Sequence, residues 1–250
     1  MNNNLLIFLT ACINPENMAF TALLDMDRRK KHYIDALNFY IEKTNLKILF
    51  VENSGINLSN IFQKEIKSGR LEILTFNGNN HKKSLGKGVG EMVILEHAIE
   101  KSIFFKKSDF IFKITGRYRI LNINQFIKQY FKNNSVDLLV NMQPKLCRAD
   151  ARLFGSNKAF YNTLVKYKNT IDDTNKVYFE HVLYKAVYET VLSTLPNLGQ
   201  SKFAIFHNIP RYSGVKGTDK LSYNDSWIYW FIKNSILKIL LFTQRTIHLR

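Results

Sequence analysis

Asp109-Phe-Ile-Phe-Lys-Ile-Thr-Gly-Arg-Tyr118 is an apolar run that stops at a glycine flanked by cations. Phe110 to Ile114 suits a buried strand, and Gly116 frees the backbone to turn sharply and to approach a ligand closely. Lys113 and Arg117 bring hydrogen-bond donors beside the turn formed with Thr115 and Tyr118. A strand ending this way is suited to an anion, and a phosphate or diphosphate is the natural one.

Apolar runs and helical patterns alternate on both sides of this stretch. Strands are expected at Leu5–Ile13, Leu46–Val51, Leu71–Phe76 and Val136–Asn141, and helices at Arg28–Glu42, Ile56–Lys67, Glu91–Ile103 and Ile123–Phe131. Helices dominate afterwards, at Asn157–Lys168 and Val177–Leu192. The alternation predicts an α/β fold: one Rossmann-related domain with a mostly parallel central sheet and a helical C-terminal region. The expected organisation is a nucleotide-binding domain over residues 1–205 followed by a basic, aromatic segment over 206–250. No internal repeat, low-complexity tract or linker divides the chain.

In open parallel sheets a ligand sits outside the carboxyl ends of the strands. Those ends are polar here: Thr10, Cys12 and Asn14 after the first strand, and Glu52, Asn53 and Ser54 after the second. Glu52 stands where α/β nucleotide-binding folds often keep an acceptor for ribose or base, with a solvated loop glutamate as the competing reading. The third strand leads into Ser84-Leu-Gly-Lys-Gly-Val-Gly-Glu91, whose glycines at a helix entrance would expose N–H groups to an anion, with Lys87 and Gly88 at its centre. This spacing matches neither the P-loop nor the dinucleotide glycine fingerprint, and a plain flexible connection is the alternative.

The 250 residues, 46% of them hydrophobic, can bury a full core, and disorder is not expected. Two cysteines, Cys12 and Cys147, are too few for a disulfide framework and have no metal-ligand spacing, as suits a reducing cytosol. The N-terminal Met-Asn-Asn-Asn followed by Leu5 to Leu9 lacks a cationic leader and is too short to span a bilayer, so a first strand is expected there. A formal charge of +16 points to anionic partners: nucleic acid, an acidic membrane surface or phosphorylated substrates.

Three stretches together resemble one family: Phe112-Lys-Ile-Thr-Gly-Arg-Tyr118, the Gly86-Lys87-Gly88 helix entrance, and Arg148-Ala-Asp-Ala-Arg152. In motif order they are similar to bacterial glycosyltransferases of capsule and lipopolysaccharide O-antigen synthesis with a GT-A-like fold. The resemblance implies transfer of a sugar from a nucleotide diphosphate sugar, a UDP-sugar above all, to a hydroxyl of a lipid-linked oligosaccharide. It also implies a cytoplasmic enzyme peripherally associated with the inner membrane. Typical members end the corresponding strand with Asp-x-Asp, which holds a divalent metal on the diphosphate; Thr115-Gly116-Arg117 stands there instead. An arginine repels a cation and binds diphosphate oxygens through its planar fork, so no metal or other cofactor is expected, and Arg117 with Lys113 or Lys87 would stabilise the leaving group.

Asp150 and Arg152 alternate on an extended segment and share a face, where they could hold sugar hydroxyls or bind one another. Glu180 and His181 begin a helix. The resemblance implies that an acidic residue at such a start removes the acceptor's proton, which fits Glu180, while His181 has a suitable ordinary pKa. Arg211, Tyr212 and Lys216 lie on a loop able to close over phosphate or acceptor. From Phe206 onward there are seven Lys and Arg against two Asp, together with both tryptophans. Trp227, Trp230, Phe231, Ile236, Ile239 and Leu240 recur near helical spacing, as in a helix lying in a membrane interface, with core packing or dimerisation as the competing explanation.

Two other readings compete. A nucleic-acid-binding protein would use the charge and the 13% aromatic residues, but no recognition signature accompanies them, and no nucleic-acid partner is expected. A surface transferase of phosphoalcohol or sulfate would also want a cationic turn. Oligomeric state is not legible.

Overall fold

Successive residues of a strand face opposite sides of its sheet, and β1 (Leu5–Ala11) is buried along its whole length because helices cover both sides. Leu6 and Phe8 join one core with Leu49 and Val51 of β2 (Lys47–Glu52). Ile7 and Leu9 join a second core with Ile48 and Phe50. The computed structural model describes residues 4–16, 18–19, 21–132, 136–193, 203–215, 222–223 and 226–247, with backbone alone at 144, 222–223 and 242–247. Lys216 of the expected closing loop lies outside the described residues.

The remaining strands are β3 (Leu71–Thr75), β4 (Phe110–Thr115), β5 (Arg119–Ile120), β6 (Leu138–Gln143), β7 (Arg148–Ser156), β8 (Phe203–Ala204), β9 (Tyr212–Val215) and β10 (Ser222–Tyr223). The helices are α1 (Met26–Lys43), α2 (Gln63–Lys67), α3 (Lys87–Lys101), α4 (Ile103–Lys107), α5 (Ile123–Lys132), α6 (Lys158–Val165), α7 (Phe179–Ser193) and α8 (Trp227–Ile247). The main sheet runs β3-β2-β1-β4-β7-β6-β8, and every strand but β7 points the same way. A short turn at Pro144–Leu146 joins β6 to β7 as a hairpin, which forces an antiparallel pair; a parallel one would need a longer crossover. The mostly parallel α/β sheet is therefore as the sequence predicts. Helices α1 and α5 cover one face, and α3, α6 and α7 the other.

Three local differences have physical causes. The helix expected over Ile56–Lys67 shrinks to α2, because the Glu52 carboxylate accepts the N–H groups of Ser54 and Ile56 and holds that segment in a turn. Helix α3 begins at Lys87, four residues before the expected start at Glu91, so the glycine stretch is its first turn. Gly88 is needed there for close packing, since a Cβ would lie 2.9 Å from the Ile171 side chain. The extended Arg148–Arg152 segment belongs to β7, a full nine-residue strand between β4 and β6.

Beyond residue 205 the chain packs onto the same core, with Phe206 and Tyr212 buried and β9 paired to β5. Helix α8 is tied down on one side: Trp230 Nε1 donates to the Ile209 carbonyl at 2.9 Å, and buried Asn234 accepts the Ile209 N–H at 2.7 Å. Its opposite side is apolar and exposed. Among the described residues no helix is long and apolar enough to cross a membrane.

Candidate active site

Parallel strands deliver their carboxyl ends to one edge, and there Ala11 pairs with Glu52 and Thr10 with Thr115. The chain leaves β4 by folding across β1: the Gly116 N–H donates to the Thr10 carbonyl at 2.8 Å. A Cβ at Gly116 would sit 2.6 Å from that oxygen, so only glycine permits the crossing. The turn closes with the Tyr118 N–H donating to the Thr115 carbonyl at 2.9 Å. It presents Arg117 to a cleft of about 260 Å³ at this edge.

Among the sequence-predicted residues, Thr10, Asn53, Lys87, Gly88, Lys113, Thr115, Arg117, Tyr118, Arg152 and Glu180 line the cleft. Arg117 donates from Nη2 to the Tyr118 hydroxyl at 3.2 Å and from Nε to the Val215 carbonyl at 3.3 Å, and its guanidinium lies 5.0 Å from the Tyr118 ring centre. Among the described residues no carboxylate pairs with it. Lys113 is placed differently. It is fully buried, ion-paired to Glu91, and donates to the Ala151 carbonyl at 2.8 Å, while the Thr10 hydroxyl donates to Glu91 at 2.7 Å. The Lys113 charge is thus spent on joining β4 to α3, because a buried ammonium without a carboxylate would be too costly to keep.

Six predicted residues do not line the cleft. Glu52, expected to meet ribose or base, is wholly buried and accepts from the N–H groups of Ile13, Ser54 and Ile56 and from the Ser54 hydroxyl. Two oxygens saturated in this way organise the loops after β1 and β2 and leave nothing for a ligand. Asn14 is used similarly, its N–H donating to Ser54 Oγ and its carbonyl accepting from Asn79. Gly116 acts through backbone approach alone. Asp150 is clasped by Arg152 through two contacts of 2.8 Å and receives the Tyr212 hydroxyl at 3.0 Å, so the two residues bind one another. His181 does not line the cleft, and both its ring nitrogens are engaged: Arg148 Nε donates to its Nε2 at 3.0 Å, and the Tyr178 N–H donates to its Nδ1 at 3.1 Å. Arg211 lies beside the β5 end, its N–H donating to Asn122 Oδ1 at 2.8 Å.

The cleft also contains residues that the sequence reading passed over. Arg29, buried on α1, fans its guanidinium over the carbonyls of Cys12, Ile13 and Leu23 at about 3 Å and pins the loop after β1. No carboxylate pairs with it among the described residues. A signal was present, because Arg29, Tyr33, Ala36, Leu37 and Tyr40 share the inward stripe of an amphipathic helix, where an arginine is out of place unless used. Asp173 had no local signal. It reaches the entrance of α3 from the far side of α6 and stands against Gly86 and the Lys87 N–H, so the helix entrance expected to hold a ligand's anion is occupied by a protein carboxylate. Burial pushes its pKa up to about 6, opposed by Lys87 and reinforced by Glu180. Burial likewise pushes the Cys12 thiol up to about 12, so Cys12 is no thiolate nucleophile. Glu180, in the first turn of α7, lines the cleft with no ion pair of its own among the described residues. Among those residues no group of three or more His, Cys, Asp or Glu side chains is placed to hold a metal ion.

No family model and no curated protein matches the chain. Among solved structures it is similar to the inositol-1-phosphate CTP transferase from T. maritima, at 14% identity over 94% of this chain and 96% of that one, with a TM-score of 0.49. A cytidylyltransferase from Leptospira borgpetersenii gives 13% identity over 94% and 97%, with a TM-score of 0.43. S. aureus TarS in complex with UDP gives 12% identity over 83% and 59%, with a TM-score of 0.44.

Proposed function

We propose that this chain is a glycosyltransferase that moves a hexose from a nucleoside diphosphate sugar, a UDP-sugar, to a hydroxyl of a lipid-linked glycan of the bacterial surface. The observation that carries the reading is that Arg29 and Arg117 meet in one cleft with no carboxylate ion pair on either among the described residues. Two guanidinium charges in one cleft without a counter-charge are uncompensated, and a bound anion compensates them. A diphosphate suits these cations because its oxygens match the arginine fork. Negative charge grows on the diphosphate as the bond to the sugar breaks, and Arg117 and Lys87 meet that charge as it develops.

In the transfer, the acceptor oxygen bonds to the anomeric carbon, the carbon–oxygen bond to the diphosphate breaks, and Glu180 takes the hydroxyl proton. Lys113 and Glu91 hold the floor of the site, and Arg152, fixed by Asp150, borders the side where the sugar and acceptor enter. The diphosphate is held by side chains, so the reaction runs without a divalent metal.

Helix α8 supports a membrane-bound acceptor and an enzyme lying peripherally on the cytoplasmic side of the inner membrane. Ile228, Ile232, Ile236 and Ile239 form one outward line, each at least half exposed, and the helix carries Lys233 and Lys238 but no Asp or Glu. An anionic bilayer accepts both the apolar line and the cations, whereas a second copy of a chain with charge +16 would repel it. The test is to incubate the protein with UDP-hexoses and a lipid-linked oligosaccharide and follow product mass. A gain of one hexose, reduced in Arg117→Ala and Glu180→Gln, is expected. Failure of every nucleotide to bind, with salt-sensitive oligonucleotide binding instead, would move the protein to nucleic-acid recognition.

A further inference from the structure

Arg148 and Arg152 lie on one stretch of β7, and the fold treats them differently. Arg152 is clasped by the Asp150 carboxylate. Arg148 has no carboxylate partner among the described residues. Its Nε donates to His181 Nε2 at 3.0 Å, its guanidinium lies 5.0 Å from the Tyr178 ring centre, and the Tyr178 and His181 rings stack at 5.4 Å with 27° between their planes. The guanidinium is thus held at Nε and against one ring. Neither of its terminal amino groups makes a hydrogen bond or ion pair among the described residues. A half-buried arginine fixed in this way presents a planar fork that matches two oxygens of a carboxylate or a phosphate, and little of its freedom is left to lose on binding.

The fork stands beside the chemistry. Tyr178, on which it rests, lines the cleft, as does Glu180 in the first turn of α7. It is also distinct from Arg29 and Arg117, which α1 and the turn after β4 supply, because Arg148 comes from the β6–β7 hairpin and does not line that cleft. Lys145, exposed on the same hairpin, adds a second positive charge. We infer that Arg148 is a separate anion seat at the acceptor's entrance, and that it takes a carboxylate or phosphate group carried by the acceptor near the hydroxyl that reacts. Placing the acceptor there rests on the role given above to Glu180, whereas the seat itself rests on the geometry of Arg148. A neutral acceptor has no need of a guanidinium at this point: a serine or an asparagine offers donors to its hydroxyls without adding to a charge of +16. A fork of fixed orientation also sets which face of the acceptor meets Glu180.

The experiment is an NMR titration of the full chain, with inorganic pyrophosphate present to fill the Arg29–Arg117 cleft. Three probes are compared: methyl glucoside, methyl glucuronide and glucose 1-phosphate, which carry no charge, a carboxylate and a phosphate. In the wild type at least one anionic probe should bind roughly 10-fold more tightly than methyl glucoside. Arg148→Gln should abolish that preference, and Arg148→Lys, a point charge without the fork, should recover little of it. Equal binding of all three probes by the wild type overturns the inference, and so does a preference that survives in Arg148→Gln. If Arg148→Gln lowers the melting temperature, Arg148→Lys decides instead, and an undiminished preference there overturns the inference. An Arg148-dependent preference for the glucuronide supports it with an acidic sugar as the source of the anion, and one for the phosphate supports it with the phosphate of a lipid linker. A wild type that ignores pyrophosphate yet keeps the Arg148-dependent preference rejects the diphosphate reading and retains this inference. Pyrophosphate bound without any such preference rejects this inference alone.

Discussion

Arg117 owes its place to one hydrogen atom, that of the Gly116 side chain, because any larger residue would strike the Thr10 carbonyl. Gly116→Ala is expected to destabilise the protein by about 1–3 kcal/mol, the usual cost of forcing an atom into a packed site. Chemical denaturation checks this, and an unchanged midpoint would show that the turn relaxes freely. Arg117→Ala should lower kcat/KM by about 10²- to 10³-fold, the typical loss on removing one preorganised donor to developing charge. Arg117→Lys should recover little, since a point charge does not reproduce the fork. Turnover that survives both changes would remove Arg117 from the chemistry. Asp173 gives a pH signature. Its folded pKa of about 6 lies above the ordinary value of 3.8, so the fold favours the neutral acid. Its contribution is present at low pH and is lost as pH rises through about 6, up to about 3 kcal/mol for a shift of this size. The difference in melting temperature between Asp173→Asn and the wild type should therefore shift in favour of the variant as pH rises from 4 to 7, and a constant difference would contradict the shift.

At the scale of elements, the junction of β4 and α3 rests on Lys113 and Glu91. Glu91→Gln leaves a fully buried ammonium unpaired and should cost about 3–5 kcal/mol, measured by denaturant titration. A loss below 1 kcal/mol would mean that the lysine finds water or loses its proton at little expense. Helix α8 carries a separate expectation. Ile232→Asp with Ile236→Asp should abolish sedimentation with phosphatidylglycerol vesicles and leave the melting temperature unchanged, because both side chains already face outward. Retained vesicle binding would rule out this face. Much of this scale was legible beforehand: β1, β2, β3 and α1 follow from the period of their apolar residues. Strand β7 was legible only as a short extended segment around Asp150 and Arg152; its full length, Arg148–Ser156, depends on β4 and β6, which bury the residues between the polar ones.

At the scale of the whole molecule, a cleft rich in cations links ligand binding to stability. UDP or pyrophosphate at about 100 times its dissociation constant should add about 2.7 kcal/mol of stability, and a chelator should leave that gain unchanged. A gain that vanished with the chelator would assign the diphosphate to a metal and overturn the side-chain grip. The sequence by itself determined the alternating α/β course, the polar carboxyl ends of the strands and the glycine turn before Arg117, because each depends on local periodicity or on a single backbone freedom. Only the tertiary structure decided which polar groups are free for a ligand. It turned Glu52 into its own loops, spent Lys113 on Glu91, and brought Asp173 to the entrance of α3. The reason is that a side chain's partner is chosen by what the fold carries to it from distant parts of the chain, and no local pattern encodes that choice.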